Sequence, residues 1–178
     1  TGSSGAEAAA DRILEVFRQA GLDEVNDHKF MTPVAVAERA SLKVAGRTVE
    51  LYPWGPNLVY LPVTPAGGLS GPLHYVGSGE FSRFNGKSVE GSIVLMDMAS
   101  HTNWMNAALL GAGAVVFVGD PASVRGDFSE KNISNPLAFP RYWIKPEDGG
   151  LLKELTERAV PVAVIESAAR WEHRVVRN

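Results

Sequence analysis

Few side chains in this sequence could do chemistry, and their spacing denies most of them a reaction. His28, His74, His101 and His173 are scattered. None belongs to a His-Glu-x-x-His pair, the arrangement that puts two zinc ligands and a base on one helical face. Asp97 and His101 stand close in sequence, but across a strand end and a loop, so a hydrogen-bonded loop histidine is the better reading than a metal pair. A serine nucleophile needs Gly-x-Ser-x-Gly at a sharp strand-to-helix turn. Gly68-Leu69-Ser70-Gly71-Pro72 starts that way and then has Pro72 in the last glycine's place, while Gly77-Ser78-Gly79 lacks the frame altogether. Cysteine is absent, which removes thiol nucleophiles, thiolate metal sites and disulfides together.

Gly111-Ala112-Gly113 would suggest a phosphate cradle if it led into a helix, where free amides and the positive helix end face an anion. Here it follows a helix and precedes a strand, so it reads as a helix stop. The carboxylate pairs Glu24/Asp27 and Glu147/Asp148 lie at turns or helix starts, where capping and solvation account for them. Arg125-Gly126-Asp127 matches the integrin-binding tripeptide, a match any chain can make by chance. Contact chemistry remains. Among the aromatics Trp54, Trp104, Phe139, Tyr142 and Trp143, Trp104 follows a buried strand, where an amphipathic ring either recognises a partner or joins the core, the commoner fate. Trp104, His101 and Arg125 are therefore candidates for peptide or protein contact, and no residue is assigned a catalytic, cofactor-binding or metal-binding role.

The elements that must position these residues follow from periodicity. Ile13, Val16, Phe17 and Ala20 form one stripe of a helix over 7–20, stopped by Gly21. Leu42, Val44, Val49 and Leu51 alternate around Ala45-Gly46-Arg47, a hairpin pattern. Prolines from Pro53 to Pro72, with Gly67-Gly68, break regular structure, leaving a short edge strand over 58–63 and a strand over 73–76. Ile93–Met96 and Ala114–Val118 are apolar strands flanking a helix over 103–110. Residues 120–135 read as a polar, mobile loop, and 137–144 as a strand interrupted by Pro140. Pro146 opens a helix to about Arg158, with Glu147 and Asp148 suited to its positive end. Strands over 161–166 and 171–176 close the sequence. Many short strands with two or three helices indicate a mixed α+β domain on a twisted sheet or barrel rather than pure βα alternation.

Bulk properties agree. The 178 residues are 45% hydrophobic, enough for one core without staples. A net charge of -3 lacks the basic footprint of a nucleic-acid binder, and no apolar run approaches the length of a membrane span. The start, Thr1-Gly-Ser-Ser-Gly-Ala-Glu-Ala, has neither a basic nor an apolar signal region and reads as a tag remnant or a processed end.

The run Gly91-Ser-Ile-Val-Leu-Met to Ala108-Leu-Leu-Gly-Ala-Gly-Ala-Val-Val-Phe resembles the protease-associated (PA) domain, in which a Gly-Lys-Ile-Val-Leu strand leads through a loop and helix into Ala-Gly-Ala and a second apolar strand. Phe139-Pro-Arg-Tyr-Trp-Ile-Lys-Pro-Glu-Asp-Gly-Gly-Leu-Leu matches the family's later strand and Leu-rich helix. Phe17-Arg-Gln-Ala-Gly-Leu, Thr64-Pro, Leu73-His-Tyr-Val-Gly-Ser-Gly and Arg174-Val-Val-Arg-Asn178 resemble the flanks of the PA domain inserted in secreted co-catalytic-zinc aminopeptidases. Two positions depart from the family pattern: Asp97-Met98-Ala99-Ser100 stands where many members have Arg-Gly, and Ser92 replaces a common lysine.

The resemblance implies a swivelling β/β/α fold, a curved sheet or open barrel with flanking helices. It implies a tail over 1–6, a helical arm over 7–28 and a PA-type domain over 29–178, as a fragment of a larger peptidase. The chain would be non-catalytic, with no cofactor of its own and zinc in the missing catalytic domain. Its partners would be that peptidase domain and a peptide or protein substrate, with no nucleic acid and no membrane insertion, in a secreted or periplasmic protein. The alternatives are a free-standing protein- or peptide-binding module and a small hydrolase in its own right.

Overall fold

A computed structural model describes residues 3–55, 59–123, 125–132 and 137–177. It divides into two compact units, one of residues 1–36 with 170–178 and the other of residues 37–169.

The larger unit holds an eight-stranded sheet, except for residues 29–36 of its first strand and 170–177 of its last, which belong to the smaller unit. Its strands are β1 (Lys29–Val44), β2 (Arg47–Glu50), β3 (Tyr52–Pro53), β4 (Leu69–Tyr75), β5 (Ile93–Asp97), β6 (Ala114–Val118), β7 (Arg141–Ile144) and β8 (Val162–Arg177), in the spatial order β2-β1-β8-β4-β5-β6-β7-β3. β2 and β3 are the two edges, yet only Leu51 separates them in the chain. A sheet whose opposite edges are joined by one residue has to curl round on itself, which makes it a nearly closed barrel. Leu51 is buried and donates to Ala40 O at 3.0 Å, which extends the β1–β2 ladder by one step up to the turn into β3.

β4, β5, β6 and β7 run parallel in sequential order, joined through α2 (Trp104–Leu109) after β5 and α3 (Arg125–Ser129) after β6. Parallel strands are covered on both faces and so carry unbroken apolar runs. Ile93 and Leu95 of β5, Ala114 and Val116 of β6, and Tyr142 and Ile144 of β7 enter one core with Leu42, Val49, Ala163 and Ile165. Their alternates Val94, Met96, Val115 and Phe117 enter a second core with Trp54, Trp104, Ala107 and Phe139. α4 (Pro146–Arg158) closes the first core with buried Leu152 and adjoining Leu155.

The hairpin over 42–51 forms as expected: Val44 faces Arg47, and Ala45 and Gly46 take φ +48° and +75°, the pair of positive φ values a tight hairpin turn requires. α4 spans the predicted residues. Other expectations are corrected. β4 begins at Leu69 rather than Leu73 and contains Pro72, tolerated because β4 pairs with β8 up to Pro72 and with β5 from Leu73 onward. The loop over 120–135 includes the short helix α3, with 124 and 133–135 outside the described residues. The edge strand over 58–63 has only an isolated bridge at Tyr60, Leu58 lying outside the described residues. β7 starts after Pro140 rather than spanning it. The two closing strands are one continuous β8, because no proline or glycine interrupts 162–177.

The smaller unit carries α1 (Ser4–Gln19), begun by Ser3, whose hydroxyl accepts from Ala6 N at 3.2 Å. This cap starts the helix three residues earlier than its apolar stripe indicates. No residue of α1 is buried, and Ile13, Val16 and Phe17 are 53%, 43% and 45% exposed. Polar contacts hold the helix: Arg177 donates from Nε to both Asp27 oxygens at 3.0 and 3.1 Å, and from Nη1 to Asp11 at 2.6 Å and Glu7 at 3.4 Å.

Candidate peptide-contact site

His101, Asp120, Arg125 and Glu130 lie in the segments that follow the parallel strands β5 and β6. A crevice of about 510 Å³ opens there between Asp97–Ala99, Val118–Pro121 and the face of α4 carrying Pro146, Gly150 and Lys153. Its Asp97 is already engaged. Tyr75 Oη donates to both carboxylate oxygens at 2.8 and 2.9 Å, and Lys153 Nζ lies 2.6 Å from Oδ1 while passing over the Tyr75 ring at 4.8 Å. Burial works against the Lys153 charge, but the hydrogen bonds to Asp97 and Tyr75 outweigh it and hold its pKa above the ordinary value. Burial likewise raises the Tyr75 phenol. A carboxylate so engaged ties β5 to α4.

His101 lies in the loop between β5 and α2, at φ +48°, a conformation that non-glycine residues adopt at some cost. Two contacts hold it there. Its Nδ1 meets Glu130 Oε2 at 2.9 Å, and its carbonyl accepts from Lys131 Nζ at 2.7 Å. The ring is exposed, with Nε2 unengaged by any described residue. Asp97 and His101 thus have separate partners, and among the described residues no group of three His, Cys, Asp or Glu is placed to hold a metal ion. His74 is buried with Nε2 at 3.0 Å from Ser88 O, and burial lowers its pKa, which suits a neutral core histidine. His28 packs on Phe30 at 5.7 Å, and His173 is exposed on β8.

Arg125 is exposed at the first turn of α3, so the Arg-Gly-Asp tripeptide is helical here rather than an extended loop tip. Trp104 corrects the contact expectation made for it. Its ring is fully buried, stacked on Phe139 at 6.2 Å, with Nε1 directed at Glu130 O at 3.5 Å. As the first residue of α2 it faces the second core, where burying a large ring contributes more than exposing it.

Two cations that the sequence reading passed over join this cluster. Lys131 is fully buried, its ammonium 5.2 Å from the Phe117 ring centroid, and burial lowers its pKa to about 8 against the opposing pull of Glu130 and Asp127. Arg141 is 3% exposed. Its guanidinium lies over the Trp104 ring at 4.7 Å and donates to Lys131 O, and burial lowers its pKa to about 10. The available signal was one charged residue in the otherwise apolar strand Arg141-Tyr-Trp-Ile144.

No protein-family profile matches the sequence, and no curated protein matches it. Solved structures do. A zinc aminopeptidase from Bacillus subtilis superposes with TM-score 0.63 and 22% identity, covering 99% of this chain and 40% of its own. An aminopeptidase from Aneurinibacillus sp. strain AM-1 gives TM-score 0.61 and 20% identity, covering 99% and 42%. A peptidase M28 precursor from Shewanella amazonensis gives 0.67 and 17%, covering 100% and 45%. The chain therefore spans under half the length of these structures, and at such identities the likeness is one of fold. Over essentially its whole length, this chain has the fold of a segment found within zinc aminopeptidases and M28 peptidases.

Proposed function

We propose that this chain is a protease-associated accessory domain of a zinc-dependent, aminopeptidase-like metallopeptidase. It is non-catalytic itself and shapes substrate access or peptide contact beside an active site carried by a separate peptidase domain. The observation that carries this reading is the asymmetry of coverage: practically all of this chain aligns, against about two-fifths of each of the two aminopeptidases, one of them a zinc enzyme. In this reading zinc belongs to the peptidase domain, the protein is secreted or periplasmic, and the rim residues His101 and Arg125 face peptide. Trp104 acts only by supporting the loop beneath it.

The exposed Ile13, Val16 and Phe17 stripe of α1 favours this reading over a free-standing peptide-binding module. A module complete in itself gains nothing from an uncovered apolar helix face, whereas a domain docked on a peptidase covers one. The test is an assay of the purified chain on aminoacyl p-nitroanilides with and without added zinc. No zinc-dependent turnover is expected, and turnover that rises with zinc would overturn the accessory reading. In parallel, Ile13→Gln/Phe17→Gln should lower binding of a hydrophobic dye; unchanged binding would argue that no docking face lies on α1.

A further inference from the structure

A small cavity of about 140 Å³ lies beside β7 in the larger unit, walled by Trp54, Tyr60, Leu61, Pro62, Phe139 and Arg141. Its size is close to that of an apolar cavity that admits one benzene ring, so it suits a single branched or aromatic side chain. What sets it apart is the arginine in an otherwise apolar wall. The Arg141 guanidinium offers five N–H donors. Among the described residues it uses one of them, on Lys131 O, and rests one face on Trp104. No described carboxylate pairs with it. Glu130, the nearest acid along this loop, is taken by His101.

A guanidinium held out of water without an anion is costly, and a carboxylate is the group whose two oxygens match its fork. Elsewhere the partly buried cations are paired with acids, Lys153 with Asp97 and Arg177 with Asp27, Asp11 and Glu7, while the fully buried Lys131 rests on the His101 carbonyl and the Phe117 ring. Arg141 is more deeply buried than Lys153 or Arg177 and lacks such a partner among the described residues.

We propose that the Trp54–Tyr60–Phe139 cavity binds an apolar residue bearing a free carboxylate, with Arg141 receiving the carboxylate and the aromatic and proline walls receiving the side chain. The chemistry is that of an N-acylated apolar amino acid, which is also that of a peptide's C-terminal residue. Nothing in it depends on the accessory-domain reading, since the site would exist in a free-standing module as well.

Titration of the purified chain, followed by tryptophan fluorescence and calorimetry, distinguishes the elements. N-acetyl-leucine should bind saturably. Acetate, which lacks the tail, and N-acetyl-leucinamide, which lacks the charge, should each bind at least about tenfold more weakly, the worth of a charge-assisted pair or a buried side chain. A hexapeptide ending in leucine tests the source: binding comparable to N-acetyl-leucine, lost on C-terminal amidation, assigns a peptide end, while its exclusion assigns a free acid. Arg141→Met should abolish discrimination between acid and amide. If that variant fails to fold, Leu61→Trp, which fills the cavity from a partly exposed wall, should block binding with Arg141 intact. Equal affinity for N-acetyl-leucine and its amide, equal affinity for acetate, or no saturable binding by the parent chain would overturn the proposal.

Discussion

Lys153 Nζ stands 2.6 Å from Asp97 Oδ1, so one ion pair joins the middle of α4 to the end of β5. Tyr75 completes it by donating to the same carboxylate. Both charged side chains are about a third exposed, which screens the pair, and Lys153→Met is expected to cost about 1 kcal/mol. The cycle of Lys153→Met, Asp97→Asn and the double variant, measured by urea unfolding, should show a coupling of similar size; purely additive losses would remove the tie. Because the folded pKa of Lys153 is raised, its contribution is fully present below the ordinary lysine value and fades as pH rises through the raised one.

Lys131 behaves in the opposite sense. Its folded pKa is about 8 against 10.5 unfolded, so between those values the unfolded chain binds more protons and stability rises with pH. Below about pH 8 both states are protonated and the burial cost of the charge is carried in full. Lys131→Met should therefore be more stable than the parent at pH 7, by about 1 kcal/mol after the lost bond to His101 O is allowed for. The advantage should shrink between pH 8 and pH 10.5, as read from urea midpoints; a pH-independent difference would show that the charge is not the cause.

Arg177 holds α1 through Asp27, Asp11 and Glu7, and those hydrogen bonds raise its own pKa further. No side chain of α1 is buried, and only Ala6, Glu7, Ala10 and Leu14 are partly covered, so the clamp is its main polar tie among the described residues. Arg177→Met should let amides over 4–19 exchange at close to solvent rates while β5 and β6 keep their protection. Salt should act more weakly in the same direction on the parent, since Asp11 and Glu7 are exposed to screening while Arg177 is largely covered. Unaltered exchange in α1 would show that the clamp is not what holds it.

Gly149 brings α4 against β6 so closely that a Cβ there would meet Val118 Cγ1 at 2.1 Å. Val118 is β-branched and cannot swing clear. Gly149→Ala is expected to destabilise by about 1–3 kcal/mol through overpacking, although alanine is the better helix former. Gly150 has nothing within 4 Å, so Gly150→Ala should be neutral or slightly stabilising. The paired thermal midpoints check the contact, and equal effects at the two positions would refute it.

Much of the fold is written locally in the chain. The period-two alternation around Ala45-Gly46 specifies the β1–β2 hairpin, Pro146 with Glu147 and Asp148 specifies the start of α4, and the apolar runs Ile93–Met96 and Ala114–Val118 specify strands covered on both faces. These signals lie within a few residues of what they determine, because turns, caps and pleats are short-range geometry. The absence of cysteine and of any His-Glu-x-x-His pair is equally local, and it removes the chemistry those residues carry.

Only the tertiary structure decided that Leu51 alone separates the two sheet edges, that Trp104 is core rather than rim, and that Pro72 sits where β4 changes partners. It alone brought Arg141 of β7 onto Trp104 of α2, and led Lys131 to the carbonyl of His101. Sequence patterns tell which face of an element avoids water. Which distant element covers that face, and whether it brings a counter-charge, depends on chain closure, and closure is a property of the whole sheet.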